Sequence, residues 1–195
     1  MNEEQYYDFV QPYEDAQHIL LTRLDVLNHS LYEKSSARPI HNIQVRIKKK
    51  KSIEEKLKKK GKAISVNNAK DFLQDIAGAR LICYFVDDIY NLVDIIKKQS
   101  DLIVIRESDY IAKPKPNGYR SYHLIVGVPV YCRDGMEYFP VEIQFRTMSM
   151  DFWASMEHRI SYKKDTKNSG KLTKKYANMV VKIEKRFEKY NEKKS

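Results

Sequence analysis

Val141-Glu142-Ile143-Gln144-Phe145-Arg146-Thr147 reads as a short β-strand with two unlike faces. Successive side chains on a strand point to opposite sides. Val141, Ile143 and Phe145 therefore share one face, and Glu142, Gln144 and Arg146 share the other. An acid, an amide and a guanidinium in a row would be ordinary on an exposed sheet. The neighbouring strand candidates, 79–86 and 124–130, are nearly all apolar, so this polar row reads as a site. Upstream, Asn117-Gly118-Tyr119-Arg120-Ser121-Tyr122-His123 is a turn feeding another strand. Tyr119 follows a glycine and is placed to offer its ring to a base. Ser121, His123 and Ile125 share one face of that strand, while Tyr122 reads as a core aromatic.

Around these two segments, helices and strands alternate. Apolar residues at helical spacing, from Phe9 and Tyr13 to Leu27 and Leu31, predict a helix over 3–33, with Pro12 a kink or a start point. A short strand follows at 43–48. Ser52-Ile53-Glu54-Glu55 fits a capping box and predicts a helix from Ser52 to Gly61. Further helices are expected at 67–77, 88–99, 147–160 and 171–190. Strands are expected at 79–86, 102–106, 122–130 and 137–146, with a loop over 107–118 and a turn at Arg133-Asp134-Gly135. The fold class is α/β (α+β): a mixed sheet of about five strands flanked by helices. One domain is expected over 1–195, with its core at 35–160 and helical extensions at 1–33 and 165–195.

Bulk composition fits a folded globular chain: 195 residues, 42% hydrophobic and 32% charged. No apolar run is long enough to span a bilayer, and the acidic start is no signal peptide. A cytoplasmic location without membrane contact is expected. Cys83 and Cys132 are too few and too far apart for a disulfide framework or a zinc site. The net charge of +10 is uneven. Residues 46–62 carry ten Lys or Arg against Glu54 and Glu55, a balance of +8, and 159–195 carry thirteen against four, or +9. Charge as dense as that in 46–62 calls for a polyanion partner.

Arg46 and Lys48 share a face of an extended segment, and Lys56 and Lys60 share a helix face. With the helix N-terminus at Ser52 they suit a triphosphate, or equally a nucleic-acid backbone. Neither a G-x-x-x-x-G-K-S/T nor a G-x-G-x-x-G motif is present. Asp75 and Arg80 flank a helix-to-strand turn. If that strand lies beside 141–147, Asp75 and Glu142 converge. Two carboxylates among phosphate-binding cations suit Mg²⁺. A non-catalytic polyanion binder would use the basic segments alone and gain nothing from this acidic pair, and a nucleotide-sensing regulator would carry a degenerate site.

The ordered set of segments resembles the synthetase domain of RelA/SpoT-type enzymes, most closely the small alarmone synthetases of the RelQ type. The matching residues are Arg46-Ile47-Lys48 with Ser52 and Lys56, then Asp75 to Arg80. They continue with Asp109-Tyr110-Ile111, Lys115 and Asn117–His123, and end with Val141–Thr147, Phe152-Trp153-Ala154 and Glu157-His158. The resemblance implies a nucleotidyltransferase-like fold. It implies transfer of pyrophosphate from ATP to the ribose 3′-hydroxyl of GDP or GTP, giving ppGpp or pppGpp and AMP. Asp75 and Glu142 would hold Mg²⁺, and Glu142 is also the candidate base. Arg46 and Arg80 would sandwich adenine, and Lys48, Ser52, Lys56 and Lys59 would hold ATP phosphates. Tyr119 would stack on guanine, Lys115 and His123 would meet the acceptor's phosphates, and Gln144 and Arg146 would support the site.

Two positions depart from the pattern. Asp151 stands where some relatives have a guanine-reading asparagine, and a carboxylate can accept from the same guanine edge. Ser108 stands where the family often has arginine, with Arg106 two residues earlier. The resemblance also implies a homotetramer, single-stranded RNA binding and an allosteric (p)ppGpp site. The chain has no room for the hydrolase or regulatory domains of long relatives, so synthesis without degradation is expected.

Overall fold

In chain order the protein forms α1 (Glu3–Ser35), β1 (Ile40–Ile47), α2 (Lys50–Lys59), α3 (Val66–Phe72), β2 (Ala77–Cys83), α4 (Val86–Lys97), β3 (Ile103–Asp109), β4 (Tyr122–Cys132), β5 (Gly135–Thr147), α5 (Met148–Tyr162) and α6 (Ser169–Glu192). These come from a computed structural model, which describes residues 1–35, 38–162 and 169–192. Parts of the expected C-terminal extension, 165–168 and 193–195, lie outside the described residues.

The strands make one sheet in the order β1-β2-β5-β4-β3. β2 and β5 pair in parallel, and the other three pairs are antiparallel. The mixed α+β sheet is as expected. Val141, Ile143 and Phe145 are fully buried, with Leu81, Leu124 and Val126 beside them. α1 supplies Phe9, Tyr13, Leu20 and Leu24 to this core, and α4 supplies Ile89, Leu92, Val93 and Ile96. α1 continues through Pro12. Cys83 is buried and Cys132 exposed, and burial pushes the Cys83 thiol pKa up.

Several boundaries differ from expectation. α2 begins at Lys50 with Lys49 as its N-cap, so Ser52 lies inside the first turn and the predicted capping box does not form. Full burial of Ile53 and Leu57 sets the helix phase there and overrides the local capping pattern. No side chain caps this helix start. The predicted 67–77 helix stops at Phe72, because Leu73 is extended and Leu73 and Ile76 are both buried. Asp75 therefore sits in a turn before β2 rather than on a helix. β2 starts at Ala77 and ends at Cys83, and β3 runs on to Asp109 into the predicted loop.

α6 docks through one buried carboxylate. Glu184 accepts hydrogen bonds from Thr147, from Ser149 Oγ at 2.7 Å and from Arg120 Nη1 at 2.5 Å. Trp153, Ala177 and Val180 form a small second core beside it. Tyr176, Met179, Ile183 and Phe187 of the predicted stripe face outward, and the side chains of Leu172 and Tyr190 lie outside those described.

Candidate active site

The register carries the polar row of β5 across the whole sheet. Glu142 stands opposite Gly78 of β2, which stands opposite Arg46 of β1. On its other side Glu142 faces Ile125 of β4, which faces Arg106 of β3. A second rung runs Gln44, Arg80, Gln144, His123 and Ser108. Paired residues share a face, so a single sheet face gathers groups from all five strands.

On the β1–β2 side, a cavity of about 130 Å³ is lined by Gln44, Arg46, Gly78, Arg80, Glu142 and Gln144. The Arg46 side chain lies over Gly78: a Cβ on that glycine would be 3.6 Å from Arg46 Nε. Arg46 Nη2 is 4.0 Å from Glu142 Oε2. Arg80 donates to Gln44 Oε1 at 3.2 Å and lies 3.4 Å from Asp151. Asp75 Oδ2 accepts from Lys48 Nζ at 2.9 Å and Lys56 Nζ at 2.7 Å, while its buried Oδ1 has no partner. Burial alone would raise the Asp75 pKa, but the two ammonium groups outweigh it and hold the carboxyl below its ordinary value. Lys59 and Ser52 are exposed on α2 and do not join this cluster.

On the β3–β4 side, a cavity of about 240 Å³ is lined by Arg106, Ser108, Tyr110, Lys115, His123, Ile125 and Glu142. Arg106 thus reaches the space where Ser108 departs from the family pattern. Tyr119 is held by its hydroxyl, 2.8 Å from His123 Nε2 and accepting from Arg146 Nη2 at 2.9 Å. Lys115 Nζ is 5.0 Å from the Tyr119 ring centre and 4.5 Å from that of Tyr110. The turn is set by Gly118 at φ 90°, with Tyr119 N–H donating to Asn117 Oδ1 at 3.1 Å.

Glu142 is largely buried between the two halves. Its oxygens meet His123 Nδ1 at 3.3 Å and Gln144 Nε2 at 2.9 Å. Burial pushes its pKa up, His123 and Gln144 push it down, and the downward effects win. Asp75 adds a smaller upward push. Asp151 accepts from Arg146 Nη1 at 2.8 Å, and with the nearby Arg80 it is clasped by two arginines.

Sequence reasoning missed three contributors. Gln17 of α1 donates from Nε2 to the carbonyls of Arg46 and Gly78, both at 2.9 Å, and so fastens the β1–β2 rung from behind. A glutamine inside the apolar stripe, four residues after Tyr13, was the available signal. Tyr110 lines the larger cavity, and only its place in the Asp-Tyr-Ile segment pointed to it. The Arg120–Glu184 pair had no local signal.

A family model described as a region found in RelA / SpoT proteins matches residues 45–167. The chain belongs to the RelA/SpoT family. Within that family it is 44% identical over 151 residues to the GTP pyrophosphokinase YwaC of Bacillus subtilis, covering 77% of this chain and 72% of that protein. It is 39% identical over 164 residues to YjbM of the same organism, also named a GTP pyrophosphokinase, covering 84% and 76%. The fold superposes on the B. subtilis small alarmone synthetase 1 bound to its product pppGpp, with TM-score 0.88, 33% identity and 98% of both chains covered. A GTP pyrophosphokinase family protein from Streptococcus pneumoniae gives 0.87 at 34% identity, covering 99% of this chain and 95% of that one.

Proposed function

We propose that this RelA/SpoT-family chain is a GTP pyrophosphokinase. It moves the β,γ-pyrophosphate of ATP to the 3′-hydroxyl of GDP or GTP, giving AMP and ppGpp or pppGpp. One observation carries the reading: of the residues lining the two cavities, Glu142 alone lines both. A carboxylate between two recesses is where a hydroxyl of one ligand would meet a phosphate of the other.

ATP takes the β1–β2 side, its adenine between the flat guanidinium groups of Arg46 and Arg80. Its phosphates meet Lys48, Lys56 and the open N-terminus of α2 that carries Ser52, with Lys59 on the same helix. The acceptor takes the other side. Tyr119 offers its ring to guanine, Asp151 its carboxylate to the base edge, and Lys115, His123 and Arg106 their charge to the acceptor's phosphates. Gln144 and Arg146 hold Glu142 and Tyr119 in place. Glu142, ionised at neutral pH, takes the proton of the 3′-hydroxyl. The 3′-oxygen bonds to the β-phosphorus as the bond to the AMP oxygen breaks.

The donor set fits Mg²⁺. Asp75 Oδ1 is a buried, unpartnered oxygen, Glu142 is a second ionised carboxylate, and hard cations take such ligands together with substrate phosphates. Among the described residues no cluster of three or more His, Cys, Asp or Glu forms a metal site, so the remaining ligands fall to the nucleotide and water. Bound there, Mg²⁺ would neutralise charge developing on the transferred group. Asp75 itself keeps Lys48 and Lys56 gathered at the donor side.

The outward Tyr176, Met179, Ile183 and Phe187 of α6, with Phe152 and Met156 of α5, support a homotetramer, which light scattering tests. Exposed Lys51, Lys58 and Lys60 support RNA binding, which a gel shift with single-stranded RNA tests. An allosteric (p)ppGpp site rests on the family resemblance, and equilibrium dialysis with excess alarmone tests it. The deciding experiment incubates the protein with ATP, Mg²⁺ and GMP, GDP or GTP in parallel. AMP and a guanosine polyphosphate are expected, and no such product with any acceptor would sink the enzyme reading.

A further inference from the structure

Glu184 is only 6% exposed, yet it sits on a strongly basic helix whose other described charged side chains are not buried. Burying a carboxylate costs free energy unless every oxygen is met. Here both are: Oε2 by Arg120, and Oε1 by Thr147 and Ser149. These partners come from two segments that carry site residues. Arg120 follows Tyr119 directly, and Thr147 and Ser149 lie between Arg146 and Asp151. α6 grips the same turn a second time, because Gly118 packs against Ala177 and Trp153. Trp153 is pinned in turn by its Nε1 donating to the Thr173 carbonyl at 3.0 Å. Neither cavity of the site is lined by α6 or by this turn, but the turn reaches the β3–β4 cavity through the Tyr119 hydroxyl, 2.8 Å from the lining residue His123.

We propose that Glu184 is a positioning residue for the acceptor nucleotide. Through Arg120 it fixes the 118–120 turn, so that the Tyr119 ring is set before the guanine arrives. This rests on the pyrophosphokinase reading and adds to it. α6 is then part of the acceptor site without touching the ligand, and loosening it degrades acceptor binding while leaving the donor side intact. Pre-set geometry of this kind is worth about ten- to a hundredfold.

The test compares the wild-type full chain with Glu184→Gln, Arg120→Gln and the double variant. Acceptor and donor are varied separately, and thermal melting is read in parallel. Emission from Trp153, the single tryptophan, reports α6 docking. Each single variant is expected to raise the KM for GDP about tenfold with the KM for ATP within about twofold. The double variant is expected to be no worse than either single one, since the two residues act as one unit. Equal shifts for both substrates, or a lower melting temperature with both KM values unmoved, would overturn the proposal. If Glu184→Gln does not fold, Arg120→Gln decides alone. Calorimetric titration of GDP and of a non-hydrolysable ATP analogue reads the same split without turnover. A wild type that makes no product therefore fails the pyrophosphokinase reading, while the GDP titration still decides this one.

Discussion

Gly118 presses so closely on Ala177 that a methyl group on the glycine would lie 2.6 Å from the alanine Cβ. The glycine also sits at φ 90°, where a side chain is strained. Gly118→Ala should destabilise the fold by about 2 to 4 kcal/mol from backbone strain and overpacking together. Adding Ala177→Gly should recover the overpacking share only. Denaturant unfolding of the single and double variants measures both parts, and full recovery in the double would mean that strain contributes nothing.

Glu142→Gln keeps the side chain's shape and removes its charge. Turnover should fall by at least about a hundredfold, the usual worth of a positioned base. GDP and ATP-analogue binding should persist, as calorimetry can show. A variant that still turns over would take the base role away from Glu142.

Tyr119 carries two separable contributions. Tyr119→Phe loses the hydroxyl link to His123 and Arg146 but keeps the ring. Tyr119→Ala loses the ring as well, and base stacking is worth about 1 to 3 kcal/mol. The acceptor KM should rise more for alanine than for phenylalanine, with the ATP KM steady. Equal effects would place the contribution in the hydroxyl network instead.

Chelation should stop turnover, and Mg²⁺ should restore it. Asp75→Asn should raise the Mg²⁺ concentration needed for half-maximal activity at least about tenfold. Magnesium-dependent protection of the ATP-analogue complex against thermal unfolding gives a second readout. An unchanged Mg²⁺ requirement would exclude Asp75 as a ligand.

Behind the acceptor side, Lys97 donates to Glu107 at 2.7 Å and holds its carboxyl below the ordinary 4.5. The buried Tyr122 hydroxyl also donates to Glu107, and burial with that bond raises Tyr122 above its ordinary 10.0. A lowered acid stabilises the fold above its unfolded pKa and loses that contribution as pH falls through the folded one. A raised phenol stabilises below 10.0 and loses the contribution as pH climbs through its folded value. Glu107→Gln should therefore flatten the acid limb of the melting profile, and Tyr122→Phe the alkaline limb above pH 10.0. Profiles parallel to wild type would show that the pair does not couple to folding.

The face of β5 was legible because a two-residue period needs nothing beyond the strand itself. Its neighbours were not. The parallel β2–β5 pairing that brings Gly78 opposite Glu142 joins residues far apart in the chain, and only the condition that they meet could be stated. Local signals failed where burial opposed them: Ser52 had a capping pattern, but Ile53 and Leu57 moved the helix start. Asp75 looked helical until Leu73 and Ile76 drew the backbone out. Glu184 resembled any solvated acid on a basic helix, and its partners lie dozens of residues upstream.

The strand order has a consequence for how such a protein can change. β1 and β3 are the two margins of the sheet, and among the described residues each pairs with a strand on one side only. Under the proposed assignment each margin serves one nucleotide, so substitutions there can retune donor or acceptor independently. β5 is enclosed on both flanks, and a change in it is felt by both partners at once. Diversity in substrate choice should collect at the rim and stop at the hub, and the Ser108 and Arg106 departure lies on the rim.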